Sequence, residues 1–264
     1  MSWDPSLYLK YATERLRPAL DLMARISLAA PRTIVDLGCG AGNVTRILAE
    51  RWPMALITGV DNSAAMLAKA RETLQDNPRV GWVEADLAAW AATAPTAGVD
   101  LVYSNAALHW LDAHEILFPR LLSAVAEGGV LAVQVPSNFH APSHAILEEI
   151  AAGPRWGSRL RALLRPVPVA RVTRYFDWLA PQAQTIDAWT TEFLHVLAPA
   201  ADGEHPVVTW TKGTAFTPFT TVLDAEAQRA FIDEYAARIA TAYPPQPDGR
   251  VLFPFRRVFI VAVR

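Results

Sequence analysis

Cysteine is nearly absent from this chain: Cys39 stands alone among 264 residues. An internal disulfide is excluded, and a reducing compartment fits. Long apolar runs are missing as well. The most apolar stretch, residues 130–135, has the length of a strand, far short of the ~20 residues a membrane-crossing helix needs. No basic segment leads into an apolar one at the start, so no signal peptide is expected. Neither sign of charge is in excess: 24 basic against 26 acidic residues leave −2, and no global field would hold a nucleic-acid backbone. Nine tryptophans could stack on bases, but the charge balance argues against that use. Six histidines lie scattered without ligand spacing, which predicts no metal site. No internal repeat or low-complexity tract shows. A soluble cytoplasmic protein is expected. It is one large domain or a core with a cap, and its 52% hydrophobic residues support a large buried interior.

What is present starts at Ile34-Val35-Asp36-Leu37-Gly38-Cys39-Gly40-Ala41-Gly42-Asn43. A β-favouring run leads into three alternating glycines, and a helix-compatible run follows: strand, tight turn, helix start. Glycine accepts positive φ and lets a ligand approach the backbone. The helix start suits an anion or zwitterion. A dinucleotide fingerprint would place its third glycine three residues after the second, whereas Gly42 comes two after Gly40, which opposes an NAD-dependent oxidoreductase. Residues 55–61 read as a second strand ending in Asp61, where an acid can accept both hydroxyls of a ribose. A third strand runs to Asp86-Leu87, where an acid can meet the amine of an adenine, and a fourth ends at Asn105. Cys39, inside the turn, reads as a small packed side chain rather than a nucleophile.

Strands are expected near 33–37, 55–60, 80–84, 99–104 and 129–135, with helices near 43–52, 63–75 and 112–126. This alternation predicts right-handed βαβ crossovers and a parallel sheet with its ligands outside the carboxyl ends of the strands. Before it, residues 1–30 are expected to form an N-terminal helical lid. Pro18 is expected to break the first helix, and a second is expected over about 19–28. Two segments, 137–170 and 200–249, read as cap insertions. Between and after them come a helix near 172–180, a strand near 184–197, a helix over 225–243 and a closing strand over 251–263. The whole of 1–264 is expected to form a single domain.

The motifs DLGCGAGN, GVDNS, EADL, VYSNAALHW and GGVLAVQVP, in this order and spacing, resemble the class I S-adenosylmethionine-dependent methyltransferases. The resemblance implies an α/β fold: a doubly wound, seven-stranded, mostly parallel Rossmann-like sheet whose last strand is antiparallel, with a helical cap. It implies S-adenosyl-L-methionine held by Asp36, Gly38, Gly40, Asn43, Asp61, Asn62, Met66, Asp86, Leu87 and Asn105. The opening Trp3-Asp4-Pro5-Ser6-Leu7-Tyr8, the stretch from Asn105 to Leu111 and the closing Arg257-Val258-Phe259-Ile260-Val261-Ala262 resemble a narrower family, the trans-aconitate 2-methyltransferases. That resemblance implies methyl transfer to one carboxylate of a small tricarboxylate. It is weakest over about 153–172 and 200–225.

A carboxylate, with a pKa near ~4, is already ionised at neutral pH, so no general base is expected. Arginine forks suit the remaining carboxylates of a tricarboxylate. The substrate-positioning candidates each have a plainer reading. Tyr8, Tyr11 and Arg15 share a helix face, as a lid or as ordinary packing. His109-Trp110 contacts substrate or packs in the core. His195, late on a strand, is a positioning residue or a structural one. Arg256 and Arg257 alternate on a strand, so at most one faces a pocket. Arg155, Arg159, Arg161, Arg165, Arg171 and Arg174 draw in an acid or form a solvated basic face. Two further readings stay open: a methyltransferase of another small acid or small molecule, and a non-catalytic regulator that binds the cofactor.

Overall fold

The computed structural model describes the backbone of residues 12–264 and the side chains from residue 16 onward. Its first described element, helix α1 (Ala12–Ala24), continues through Pro18. The expected break and the second helix over 19–28 are therefore corrected to one helix that ends at Ala24. The proline forfeits one backbone bond, but Leu22, Met23 and, one turn on, Ile26 are buried. Burying Leu22 and Met23 at about 1.5–3 kcal/mol each offsets the roughly 3 kcal/mol cost of an interior proline. Arg51 donates to the carbonyls of Met23 and Ile26, satisfying acceptors at and just beyond the end of the helix.

Strands and helices then alternate: β1 (Thr33–Leu37), α2 (Asn43–Arg51), β2 (Leu56–Asp61), α3 (Ala64–Thr73), β3 (Val80–Glu84), α4 (Leu87–Thr93), β4 (Val99–Asn105), a 3₁₀ turn (Leu108–Trp110), α5 (His114–Ala124) and β5 (Val125–Pro136). Helix α4 was not anticipated. Its alanine-rich sequence is a strong helix former, and the Asp86 side chain caps it by accepting from Ala89 N. The strand expected from 129 begins at Val125, because that residue is fully buried and pairs with Val99 before the register shifts to Leu101↔Val130.

The remaining elements are α6 (Pro142–Ala152), α7 (Gly157–Leu160), a second 3₁₀ turn (Arg161–Leu163), α8 (Val172–Leu179), β6 (Thr185–Leu197), α9 (Pro206–Lys212), α10 (Thr217–Thr220), α11 (Ala225–Ala242) and β7 (Val251–Val263). Seven strands form one sheet in the order β3-β2-β1-β4-β5-β7-β6, with β1, β2, β3, β4 and β5 parallel and β7 antiparallel to β5. This is the doubly wound architecture that the alternation predicts. The strand order reverses between β1 and β4, which places the carboxyl ends of β1, β2 and β4 together at a topological switch point.

The chain divides into two compact units, and β6 and β7 each pass from one into the other. One unit comprises Arg15–Pro136, Pro168–Thr191 and Arg257–Arg264. Its interior is the sheet's own apolar content: Leu37, Val60, Leu101, Val102, Tyr103, Leu131 and Val133 are fully buried. The other unit includes Ser137–Val167 and Glu192–Arg256. Its core is aromatic, built around Phe216, Phe231, Tyr235 and Phe253. Tyr235 donates its hydroxyl to the Ser143 carbonyl at 2.8 Å, so the buried polar end of that ring is satisfied. Most of the two segments read as insertions, 137–170 and 200–249, falls within this unit.

Candidate active site

At the carboxyl end of β1 the chain turns through Gly38, Gly40 and Gly42, all at positive φ. Gly38 shows why no other residue serves. Its φ is +77°, and a Cβ there would lie 2.1 Å from the Cβ of Ala107. Ala107 itself follows Ala106, a non-glycine residue at φ 54°, whose N–H donates to the Gln134 carbonyl at 2.9 Å. Asp61, ending β2, ties the turn down: its Oδ2 accepts from Gly40 N at 2.9 Å and its Oδ1 from Ser63 N at 2.9 Å. A Cβ on Gly40 would meet nothing nearer than Met66 Cε at 3.5 Å, so a ligand can approach its backbone. Leu87 borders Gly38, its Cδ1 lying 3.6 Å from the same built Cβ. The structure thus gathers Gly38, Gly40, Asp61, Met66 and Leu87 around one turn. Asn43 and Asn62 are exposed on its rim. Asp86 is exposed too, with Oδ1 committed to capping α4 through Ala89 N at 2.9 Å.

Beneath the turn Asp36 is only 2% exposed. Burial pushes its carboxyl up to about 7; the Thr45 hydroxyl, donating to Oδ2 at 2.6 Å, pulls the other way, and the charge of Asp61 adds to the rise. Thr45 was not anticipated as a site residue. The signal was present, since Thr45 is a polar residue on the same buried face as Leu48 and Ala49. Burial also drives the Cys39 thiol far up, with Asp36 and Asp61 adding to it, so Cys39 is no nucleophile.

The β4 edge supplies different chemistry. Asn105 ends the strand with Oδ1 buried and without a hydrogen-bond donor among the described residues. The next turn carries His109, half-buried, with its ring 4.7 Å from that of Trp110, which is 59% exposed. His114, missed by sequence reasoning, holds this turn. Its Nε2 bonds the Leu108 carbonyl at 2.9 Å and its Nδ1 the Tyr175 hydroxyl at 2.7 Å. A carbonyl can only accept, so Nε2 carries the proton and Nδ1 accepts. Burial lowers the pKa of this ring and keeps it neutral.

On β7 the alternation separates the two arginines. Arg257 is buried and donates through Nη1 to Gln134 Oε1 at 3.4 Å, while Arg256 is exposed and belongs to the other unit. In that unit His195 is buried and stacks on Trp210, ring centroids 4.9 Å apart. Tyr8 and Tyr11 lie outside the described residues, as does the side chain of Arg15. Four of the six arginines between 155 and 174 have local partners: Arg155 with Glu234, Arg159 with Asp224, Arg174 with Asp177, and Arg161 with the Ala152 carbonyl. Among the described residues no cluster of His, Cys, Asp or Glu could hold a metal, and no helix is long and apolar enough to cross a membrane.

The edge fits the sulfonium cofactor that the motifs imply. Asp61 is a partly buried carboxylate at the second strand end, Asn105 offers a buried acceptor that a ligand ammonium can satisfy, and Gly40 leaves its backbone open. Comparison with known proteins agrees. Residues 34–129 match the family described as a methyltransferase domain. The chain is 45% identical over 263 residues to a trans-aconitate 2-methyltransferase of Azoarcus sp., covering 100% of this chain and 99% of that one. It is 46% identical over 263 residues to the protein of that name from Methylobacterium nodulans, covering 99% and 98%. The solved phosphoethanolamine N-methyltransferase 2 of Haemonchus contortus, in complex with S-adenosyl-L-methionine, shares the fold with a TM-score of 0.55 at 16% identity, over 94% of this chain and 52% of that one.

Proposed function

The chain belongs to the trans-aconitate 2-methyltransferase family, and we propose that it transfers a methyl group from S-adenosylmethionine to one carboxylate of trans-aconitate. The products are a monomethyl ester and S-adenosylhomocysteine. The observation that carries this reading is the identity of 45% and 46% along essentially the whole chain to enzymes of that name.

Bound at the strand edge, S-adenosylmethionine supplies an electrophilic methyl group on a cationic sulfur. The residues of the chain do the rest. Asp61 accepts the ribose hydroxyls while it keeps the glycine turn in shape. Leu87 and Met66 would border the adenosine, and Asp86, with one oxygen engaged in the α4 cap, would take its amine. Asn105 and the acid at Asp36 favour the cofactor's ammonium. The acceptor oxygen arrives ionised, so no side chain has to take a proton. Both reacting charges shrink as the methyl moves, so a water-poor setting disfavours the ground state more than the transition state. What the protein adds is alignment of sulfur, carbon and oxygen. Arg257, the buried member of the β7 pair, is our choice for gripping a carboxylate that does not react, with Arg15 and Tyr8 from the N-terminal segment and His109-Trp110 from the β4 edge as further positioning residues. The pairing of Arg155, Arg159, Arg161 and Arg174 with local acids and a carbonyl supports a structural role for those four. Its stacking on Trp210 supports the same for His195.

The near-zero charge balance and the small-acid site support a small-molecule tricarboxylate as partner rather than nucleic acid. We place the enzyme in the cytoplasm, where its single cysteine stays reduced. The deciding experiment incubates the protein with labelled S-adenosylmethionine and a panel of di- and tricarboxylates. Ester formed from trans-aconitate ahead of the others is expected. Cofactor binding without any ester would identify a regulator, and preference for another acid would move the substrate.

A further inference from the structure

Gln134, on β5, is fully buried. It is the register partner of Asn105 on β4 and of Phe259 on β7. Arg257, two residues before Phe259, is its diagonal neighbour on the same face of the sheet. Arg257 Nη1 donates to Gln134 Oε1 at 3.4 Å. This contact determines the orientation of the amide. A guanidinium only donates, so the amide oxygen must face it and the NH2 group must point away. Gln134 Nε2 then lies buried with no acceptor among the described residues. A buried donor left without an acceptor is costly, and folded proteins keep few of them. The buried acceptor across the ladder, Asn105 Oδ1, is not bonded to it either.

We infer that Gln134 is a specificity-determining residue of the acceptor site: its amide N–H groups and the Arg257 guanidinium together seat one carboxylate of the substrate. The inference rests on the functional reading above and deepens it. A guanidinium and a neutral amide side by side offer donors in two directions, which suits the two oxygens of one carboxylate. The seated carboxylate is one that does not react. Donors on the attacking oxygen would weaken its attack, because those bonds lose strength as the oxygen loses charge. Gln134 therefore selects acids that carry a carboxylate at a fixed distance from the one to be esterified.

The test compares the full-length wild type with Gln134→Leu, which keeps the volume and removes the donors. Calorimetry with S-adenosylhomocysteine present should show trans-aconitate binding at least tenfold weaker, with KM rising in step and kcat within about threefold. Affinity for S-adenosylhomocysteine should stay within about twofold. Unchanged trans-aconitate affinity, or an equal loss for S-adenosylhomocysteine, overturns the inference. Should the variant fail to fold, a crystal structure of the wild type with S-adenosylhomocysteine and trans-aconitate decides. A carboxylate oxygen in hydrogen-bond range of Nε2 supports the seat; a water there, with the acid elsewhere, overturns it. Failure of the functional reading looks different. If the wild type makes no ester yet its trans-aconitate binding still falls tenfold in the variant, the activity is wrong and the seat stands. If ester forms and binding is indifferent to the variant, the activity stands and the seat is wrong. A wild type that neither binds nor esterifies trans-aconitate overturns both.

Discussion

The Thr45 hydroxyl donates to Asp36 Oδ2 at 2.6 Å in a place where both side chains are buried. A carboxyl that burial lifts from 3.8 to about 7 holds a proton between pH 4 and 7 that the unfolded chain has already lost. The folded state therefore loses stability as pH rises through that window and levels off above it, by a difference on the order of 4 kcal/mol. Urea unfolding of wild type and Asp36→Asn at pH 5 and 8 should isolate this: the wild type should lose ground to the variant between the two. Thr45→Val should destabilise by about 1–3 kcal/mol at pH 8 and by less at pH 5, because the lost bond is strongest to the ionised form.

Gly38→Ala meets two separate obstacles, the positive φ and the 2.1 Å approach to Ala107. It should lower stability by more than the ~1–3 kcal/mol of backbone strain alone. Adding Ala107→Gly removes the clash and leaves the strain, so thermal unfolding of the double variant should show partial recovery. Full recovery would mean the backbone conformation costs nothing there.

Asp61 turns both oxygens towards N–H groups, those of Gly40 and Ser63. Asparagine can offer an oxygen to only one of them and would aim its own NH2 at the other. Asp61→Asn should therefore weaken S-adenosylmethionine binding by at least about tenfold, nearly as much as Asp61→Ala. Calorimetry on both variants checks this, and an asparagine variant that binds like wild type would remove Asp61 from the site.

Arg257 is buried while its neighbour Arg256 is exposed. Arg257→Lys keeps the charge and loses the planar fork, so KM for trans-aconitate should rise about tenfold or more, with a smaller change in kcat. Arg256→Ala should leave both constants within about twofold. Dicarboxylates that lack the matching carboxylate should feel the Arg257 change less.

With both ligands saturating, turnover should be flat from about pH 6 to 8, because the acceptor carboxylate ionises near ~4 and no side chain needs to take its proton. His109→Gln, which keeps a polar side chain on the same turn, should retain turnover within about tenfold. A bell-shaped profile, or abolished turnover with both ligands still bound, would reveal a base.

The sequence by itself determined the alternating sheet, the glycine turn and the acids that end β1 and β2, because these are local signals: period, turn residues and strand-end carboxylates within a few positions of one another. It also separated Arg256 from Arg257, since neighbours on a strand must point opposite ways. Tertiary structure decided whatever depends on partners far along the chain. Pro18 stays inside α1 because the apolar side of that helix is buried, with Tyr103 from β4 bonding the carbonyl of Ala19. The orientation of Gln134 depends on an arginine 123 positions away. Asp86 looked like a ligand residue, yet its position before an alanine-rich run also makes it a helix cap, and only the coordinates show one oxygen so engaged. Propensity and periodicity act over one or two turns of chain, whereas burial and hydrogen-bond satisfaction act across the whole fold.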